Sequence, residues 1–337
     1  MRAHPGGFGN SLPVATNLLP GEIGAATLLC RDPNGLAFFK CMEEAGVDTG
    51  GIIWNTDLPE DQMFEILDPK RGVVKVSRDE LSTGMSFVCV DPASGDPLIY
   101  FSPGVLQAFG REHVNLDYAG QADAAIISYA TLLRSLDKDH GIPMAGLIRD
   151  LRARNVLTVL DTHSIKGADY SCLDEPLKEV DIFGCNIGEA MSITGLENET
   201  PVDEIVDAIG SKMNIDGSRS RIVAVTSKEK GAILAYYKPG ETKPEIVQVP
   251  ACNVEVKDAT GAGDTFKVGL VAYITEHLEE YKSGRLNIRE ATQFGNATAA
   301  SYIAGTGTEY VGSFEQTMAY MNKQYPETGP HQKRVKV

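Results

Sequence analysis

The stretch Asp258-Ala259-Thr260-Gly261-Ala262-Gly263-Asp264-Thr265-Phe266 decides how this chain is read. On its C-terminal side Phe266, Leu270, Ile274 and Leu278 recur every four positions, the apolar stripe of an amphipathic helix. On its N-terminal side Val254 to Val256 reads as a strand. Two glycines one residue apart at a helix start admit backbone conformations closed to residues with a Cβ, and the first N–H groups there lack intrahelical acceptors. With the helix dipole behind them, Gly261, Ala262 and Gly263 are predicted to form an anion hole for phosphoryl oxygens. Asp264, at its mouth, is placed to take the proton of an attacking hydroxyl. The plainer reading makes Asp264 a first-turn partner of the dipole only.

Working outward, Ala124 to Ser128, Val156 to Asp161, Val180 to Cys185 and Ile222 to Thr226 read as buried strands. Helical patterns at Ile142 to Arg154, Gly188 to Gly195 and Pro201 to Met213 separate them, which predicts an α/β fold with a mostly parallel sheet and helices on both faces. Gly84 to Asp91 and Pro97 to Ser102 flank a turn rich in Asp, Pro and Gly, the signal of a hairpin in a smaller β-rich lobe. The tail, 326–337, has little to bury and is expected to be disordered.

Composition narrows the function. The 337 residues carry 46 Asp plus Glu against 31 Lys plus Arg, a net charge of −15, which argues against a nucleic-acid partner. No apolar run approaches the roughly 18 residues of a membrane span, and Met1 to Gly7 lacks the pattern of a secretory signal, so the expected compartment is the cytosol. The six cysteines are dispersed without a CxxC pair, and the six histidines include no HExxH. There is no Gly-Lys dipeptide, and neither GxGxxG nor GxSxG occurs, which removes the Walker loop, the dinucleotide fingerprint and the nucleophile elbow.

The string at 258–266 resembles the C-terminal signature of the ribokinase-like (PfkB) family of carbohydrate kinases, D-x-T-G-A-G-D-x-F. Gly6-Gly7 followed by Asn10 resembles the family's substrate-side GG motif, with the Asn one place early. The Asp32 to Gly35 turn, Ala45-Gly46-Val47-Asp48-Thr49 and Asn186-Ile187-Gly188-Glu189 match further family blocks in order. The resemblance implies a three-layer α/β sandwich with a small β-sheet lid: lid and substrate-side elements at 1–20 and 46–110, body at 21–45 and 111–325. It implies ATP as donor, Mg²⁺, and transfer of the γ-phosphoryl group to a hydroxyl of a sugar or similar molecule; it also admits a monovalent cation and a homodimer through the lid. Gly6, Gly7, Asn10 and Asp32 become the expected substrate contacts, and Asn186, Thr226, Lys228, Gly231 and Asn296 the nucleotide side.

Several of these positions carry two readings. Asn186 and Glu189 can organise Mg²⁺, yet an Asn three residues before a Glu at a helix start is also a capping box. Lys228 replaces the first glycine of the family's T-x-G-x-x-G, so it either contacts phosphate or is a solvated lysine on a turn. Asn296 either approaches adenine or is an exposed helix residue. Asp161 ends a strand, where a role near the site competes with a helix cap or turn, and Trp54 reads as packing. Where ribokinases proper present an acidic sugar contact this chain has Tyr129, which counts against ribose.

The family usually has a strand with an early Asp well before its GG motif, whereas here GG stands at residues 6 and 7. The expectation is a shortened version of a longer product, lacking one body strand and a substrate ligand. Asp57 to Ser82 reads as a surface excursion inserted near the lid. The leading reading is a sugar kinase; a nucleoside kinase and a catalytically silent ligand-binding homologue are the alternatives.

Overall fold

The computed structural model describes residues 8–68, 70–90, 97–163, 168–197, 200–305 and 311–326. Helix α1 (Phe8–Leu18) precedes β1 (Gly24–Leu29), α2 (Pro33–Glu44) and β2 (Asp48–Trp54). Two hairpins follow, β3 (Met63–Asp68) with β4 (Gly72–Ser77), and β5 (Met85–Val90) with β6 (Pro97–Ser102). After α3 (Leu116–Ala119) comes the alternating part: β7 (Ala124–Ala130), α4 (Arg134–Arg152), β8 (Leu157–Thr162), α5 (Pro176–Glu179) and β9 (Ile182–Asn186). It continues through α6 (Ile187–Thr194), α7 (Val202–Lys212), β10 (Arg221–Thr226), β11 (Ala232–Tyr237) and β12 (Glu245–Val249). The chain then runs through α8 (Ala262–Glu276), α9 (Leu278–Lys282), α10 (Ile288–Ile303) and α11 (Phe314–Gln324).

The central sheet has the order β12-β11-β10-β9-β8-β7, with β7 to β10 parallel and β11 and β12 antiparallel. Strand alternation feeds two cores. Leu160, Phe183, Val223 and Val225 point to one face, under Met144, Leu147 and Ile148 of α4 and Ile205 and Ile209 of α7. Leu157, Val159, Ile182 and Ala224 point to the other, under Val14 and Leu18 of α1, Phe266 and Leu270 of α8, and Phe294 of α10. The three-layer α/β sandwich expected from the sequence is therefore present. Helices α8 and α10 approach closely because Gly269 and Gly295 carry no Cβ; one at Gly269 would run into the Thr298 hydroxyl, and one at Gly295 would lie 2.8 Å from the Phe266 ring.

Local signals explain several boundaries. Asp32 caps α2 with Pro33 behind it, Ser313 and Gln316 form a capping box on α11, and Gly195 ends α6 at φ +73°. The helical pattern of Ile142 to Arg154 is the second part of α4, whose backbone leaves the helical region at Lys138 to Gly141.

Three expectations need correction. Val254 to Val256 joins no ladder: β12 ends the sheet at Val249, and the approach to the glycine turn is irregular. The apolar stripe after Asp264 does not continue on one helix to Leu278, because α8 stops at Glu276. Residues 57–82 hold an ordered hairpin rather than a loose excursion. Its Phe64 and Val76 are buried with Val105 and Phe109, and the Leu67 N–H donates to Gln107 Oε1 at 2.8 Å. The β5–β6 hairpin, in contrast, leaves Met85, Phe87, Tyr100 and Phe101 exposed. Strands β1 and β2 pair with each other in parallel, so among the described residues no strand pairs with the outer edge of β7.

Candidate active site

The carboxyl ends of β7, β8, β9 and β10 line up at one edge of the sheet, where open α/β sheets place ligands. They bring Tyr129, Asp161, Asn186 and Thr226 to that edge, and Thr226 is the register partner of Asn186. The N-terminus of α8 points into the same place.

At that terminus Gly261 adopts φ +84°, and a Cβ there would meet the Tyr302 hydroxyl at 3.3 Å. A Cβ on Gly263 would meet nothing within 4 Å, so the space over the turn is open. The Thr265 N–H donates to the Gly261 carbonyl, closing the first helical turn. Of the N–H groups before it, that of Ala262 donates to the Ala259 carbonyl at 3.2 Å, while those of Gly261 and Gly263 lack intrahelical acceptors at the positive end of the dipole. An anion fits such a cradle.

The Asp264 side chain, 21% exposed, stands at its rim. Its Oδ2 accepts a hydrogen bond from the Tyr129 hydroxyl at 3.0 Å, and its Oδ1 lies 3.3 Å from Lys267 Nζ. Lys267 also pairs with Asp161, which is 2% exposed. Burial raises the Asp161 carboxyl, and the Lys267 ammonium pulls it back down. Burial alone would lower Lys267, but the charges of Asp161 and Asp264 raise it, so the ammonium stays protonated. Burial, followed by the charges of Asp264 and Asp161, drives the Tyr129 phenol far above its ordinary range and keeps it a donor.

Asn186 and Glu189 form the capping box that their spacing predicts. Asn186 Oδ1 accepts from the Glu189 N–H at 2.9 Å, and Glu189 Oε2 accepts from the Asn186 N–H at 2.8 Å. Glu189 is 6% exposed, and its charge is felt at Lys267, Asp161 and Tyr129, so it belongs to the same electrostatic unit as Asp264. A buried carboxylate such as that of Glu189 suits Mg²⁺, which takes few protein ligands and completes its shell with phosphate and water.

The remaining expected residues fall as follows. Gly6 and Gly7 lie outside the described residues; Asn10 is half-buried in the first turn of α1. Asp32 is not a free acceptor: Oδ1 takes the Gly35 N–H and Oδ2 the Thr83 N–H, each at 2.8 Å. Burial works against its charge, yet those donors hold the carboxyl below its usual range. It ties α2 to the base of the β5–β6 hairpin, with one backbone donor on each carboxylate oxygen.

Lys228 is exposed at φ +45°, in the turn where the Ser227 N–H donates to the Gly231 carbonyl at 2.8 Å. Gly231 sits at φ +84°, and a Cβ there would run into the Val249 carbonyl. Asn296 is not an exposed helix residue. It is 7% exposed, and its amide donates to the carbonyls of Val249 and Pro250 at 3.3 and 3.1 Å, pinning α10 to the end of β12.

Residues 70–313 match the pfkB family carbohydrate kinase. The chain belongs to this family. It is 25% identical over 317 residues to the bifunctional protein HldE of Trichlorobacter lovleyi, covering 91% of this chain and 53% of that protein. It spans about half the length of that relative. It is also 25% identical over 307 residues to the ribokinase of Haemophilus influenzae, covering 90% of this chain and 82% of that one. Among solved structures, fructokinase with bound ATP from Xylella fastidiosa superposes with a TM-score of 0.69 at 16% identity, covering 94% of this chain and 89% of the other. That likeness establishes the ribokinase-like fold of this PfkB-family chain.

The sequence reading missed Lys267 and the partnership of Tyr129 with Asp264. Lys267 was legible: it lies three residues beyond Asp264, the spacing that puts two side chains on one helix face.

Proposed function

We propose that this protein is an ATP-dependent kinase of a sugar or sugar-like alcohol, with Asp264 as the base. The observation that supports this most is the pairing of the partly exposed Asp264 carboxylate with the glycine cradle at the start of α8. The acceptor hydroxyl would give its proton to Asp264 while its oxygen forms a bond to the γ-phosphorus. The bond from that phosphorus to the β–γ bridging oxygen breaks, and ADP leaves with the electron pair. Charge gathering on the phosphoryl oxygens meets the amides of Gly261 and Gly263, the Ala262 N–H being held by the Ala259 carbonyl within the turn.

Asn186, Thr226, Lys228 and Gly231 lie on the nucleotide side of this arrangement, with Glu189 and Asn186 toward Mg²⁺. Among the described residues no group of three or more His, Cys, Asp or Glu is arranged to hold a metal, so the ion would come with the nucleotide phosphates. When bound, Mg²⁺ neutralises charge on the β- and γ-phosphates. The β5–β6 hairpin would act as the lid, its Phe101 face toward the site excluding water as a competing acceptor. Its other face, with Met85, Phe87 and Tyr100 exposed, fits a second copy of the chain, because an isolated two-stranded hairpin is marginal in water. Sedimentation of the wild type and of Phe87→Ser tests that contact.

The function is tested by ADP release from ATP and Mg²⁺ with pentoses, hexoses and nucleosides as acceptors. A hexose- or pentose-dependent burst of ADP supports the reading, and release driven only by nucleosides replaces it.

A further inference from the structure

Strands β7 and β8 run in parallel register as far as Ile127 and Leu160, and the next matched pair is Ala130 with Thr162. Three steps on β7 therefore answer two on β8. This is a β-bulge, and it falls on Ser128 and Tyr129. Tyr129 takes φ +67° and Thr131 φ +91°, a region in which a residue with a Cβ is held only by its surroundings. Bulges beside active sites re-aim side chains. Here the phenol reaches Asp264, 135 positions away in the chain, and donates to Oδ2 at 3.0 Å.

The ring has a second contact. The His163 imidazole, just past β8, meets it edge-on, with centroids 5.1 Å apart and planes at 86°. His163 also meets Phe101 of β6, 5.8 Å away at 78°. Phe101 is opposite Ser86 in the β5–β6 register, and so lies on the hairpin face away from Phe87 and Tyr100. A line of contacts thus runs from the lid through His163 and Tyr129 to the carboxylate of Asp264.

We propose that Tyr129 is a positioning residue that couples the seating of the β5–β6 lid to the orientation of Asp264. This rests on the reading of Asp264 as base. Lys267 on Oδ1 and the phenol on Oδ2 grip both carboxylate oxygens, so rotation of the carboxylate breaks one of the two contacts. The ring that carries the phenol packs against His163, and His163 packs in turn against Phe101. When the hairpin lifts, the ring loses that backing, and the base loses one of its two guides before a hydroxyl has been enclosed.

Two measurements decide it. In the full chain with tyrosines labelled at 13Cζ, the Tyr129 resonance is assigned by its loss in Tyr129→Phe. It should shift in Asp264→Asn and, without any ligand, also in Phe101→Ala. In ADP-release assays with ATP and the acceptor found in the panel of pentoses, hexoses and nucleosides, Tyr129→Phe should lower kcat roughly ten- to hundredfold, the scale of a hydrogen bond to a charged group, with KM for ATP unchanged. Phe101→Ala should lower kcat less, and the double variant should be no slower than Tyr129→Phe. A Tyr129 resonance indifferent to Phe101→Ala, a wild-type kcat in Tyr129→Phe, or two effects that multiply would each overturn the coupling. Near-normal turnover in Asp264→Asn would remove the base reading instead, and the resonance would still report whether lid and phenol are linked.

Discussion

Lys267 lies one helical turn beyond Asp264, and its Nζ stands 3.3 Å from Asp264 Oδ1 while pairing with Asp161 on the other side. One ammonium thus serves two carboxylates in a nearly closed environment, where an unpaired charge is costly.

Removing that ammonium should therefore unbalance the site. Lys267→Met leaves Asp161 buried without a counter-charge and should destabilise the fold by about 3–5 kcal/mol. Adding Asp161→Asn should recover most of the loss. Urea denaturation of the single and double variants at neutral pH checks this; equal stability of the two would show that the pair is not coupled.

Another carboxylate, the partly buried Asp137, pairs with no cation among the described residues. Among the described residues Asp137 Oδ1 has no hydrogen-bond partner, and burial pushes the carboxyl up to about 6, the N–H groups of Thr131 and Leu133 only partly offsetting it. A carboxyl raised in the folded state loses stability as pH climbs from its unfolded value near 4 through about 6. Asp137→Asn should be more stable than wild type by up to about 2–3 kcal/mol at pH 8, and the two should converge below about pH 4. Thermal melts across that range give the answer, and a pH-independent difference would contradict it.

Lys228 holds a left-handed backbone conformation that glycine adopts without strain. Lys228→Gly should leave turnover equal or higher, and stability unchanged or raised by up to about 1 kcal/mol. A collapse of turnover at unchanged stability would mean that the exposed ammonium contacts phosphate after all.

What the sequence disclosed was chiefly local. The start of α8, the capping box at Asn186 and Glu189, and the buried strands depend on residues close together in the chain, and periodicity or turn chemistry reveals them. Tyr129 was opaque because a one-residue bulge decides which way its ring points, and no composition signal marks a bulge in a parallel pair. Asn296 and Asp32 read as available polar groups; each also bonds backbone partners from distant segments, Val249 and Pro250 for one and Thr83 for the other, which sequence alone does not show. Val254 to Val256 has a strand's composition but no neighbouring strand to pair with. Arg221 opens β10 as a buried cation, its guanidinium donating to the Leu177 and Val180 carbonyls, which hydropathy alone would place outside the strand.

The claim that Asp264 is the proton acceptor is tested most directly by Asp264→Asn, which keeps size and hydrogen-bonding reach but cannot take a proton at neutral pH. Turnover with ATP, Mg²⁺ and the acceptor found in the panel should fall by roughly 10² to 10⁴, while ATP affinity measured by calorimetry stays within about threefold, far below the tenfold that about 1.4 kcal/mol of lost binding would produce. Turnover within a few-fold of wild type, in a variant that binds ATP normally, would contradict the assignment.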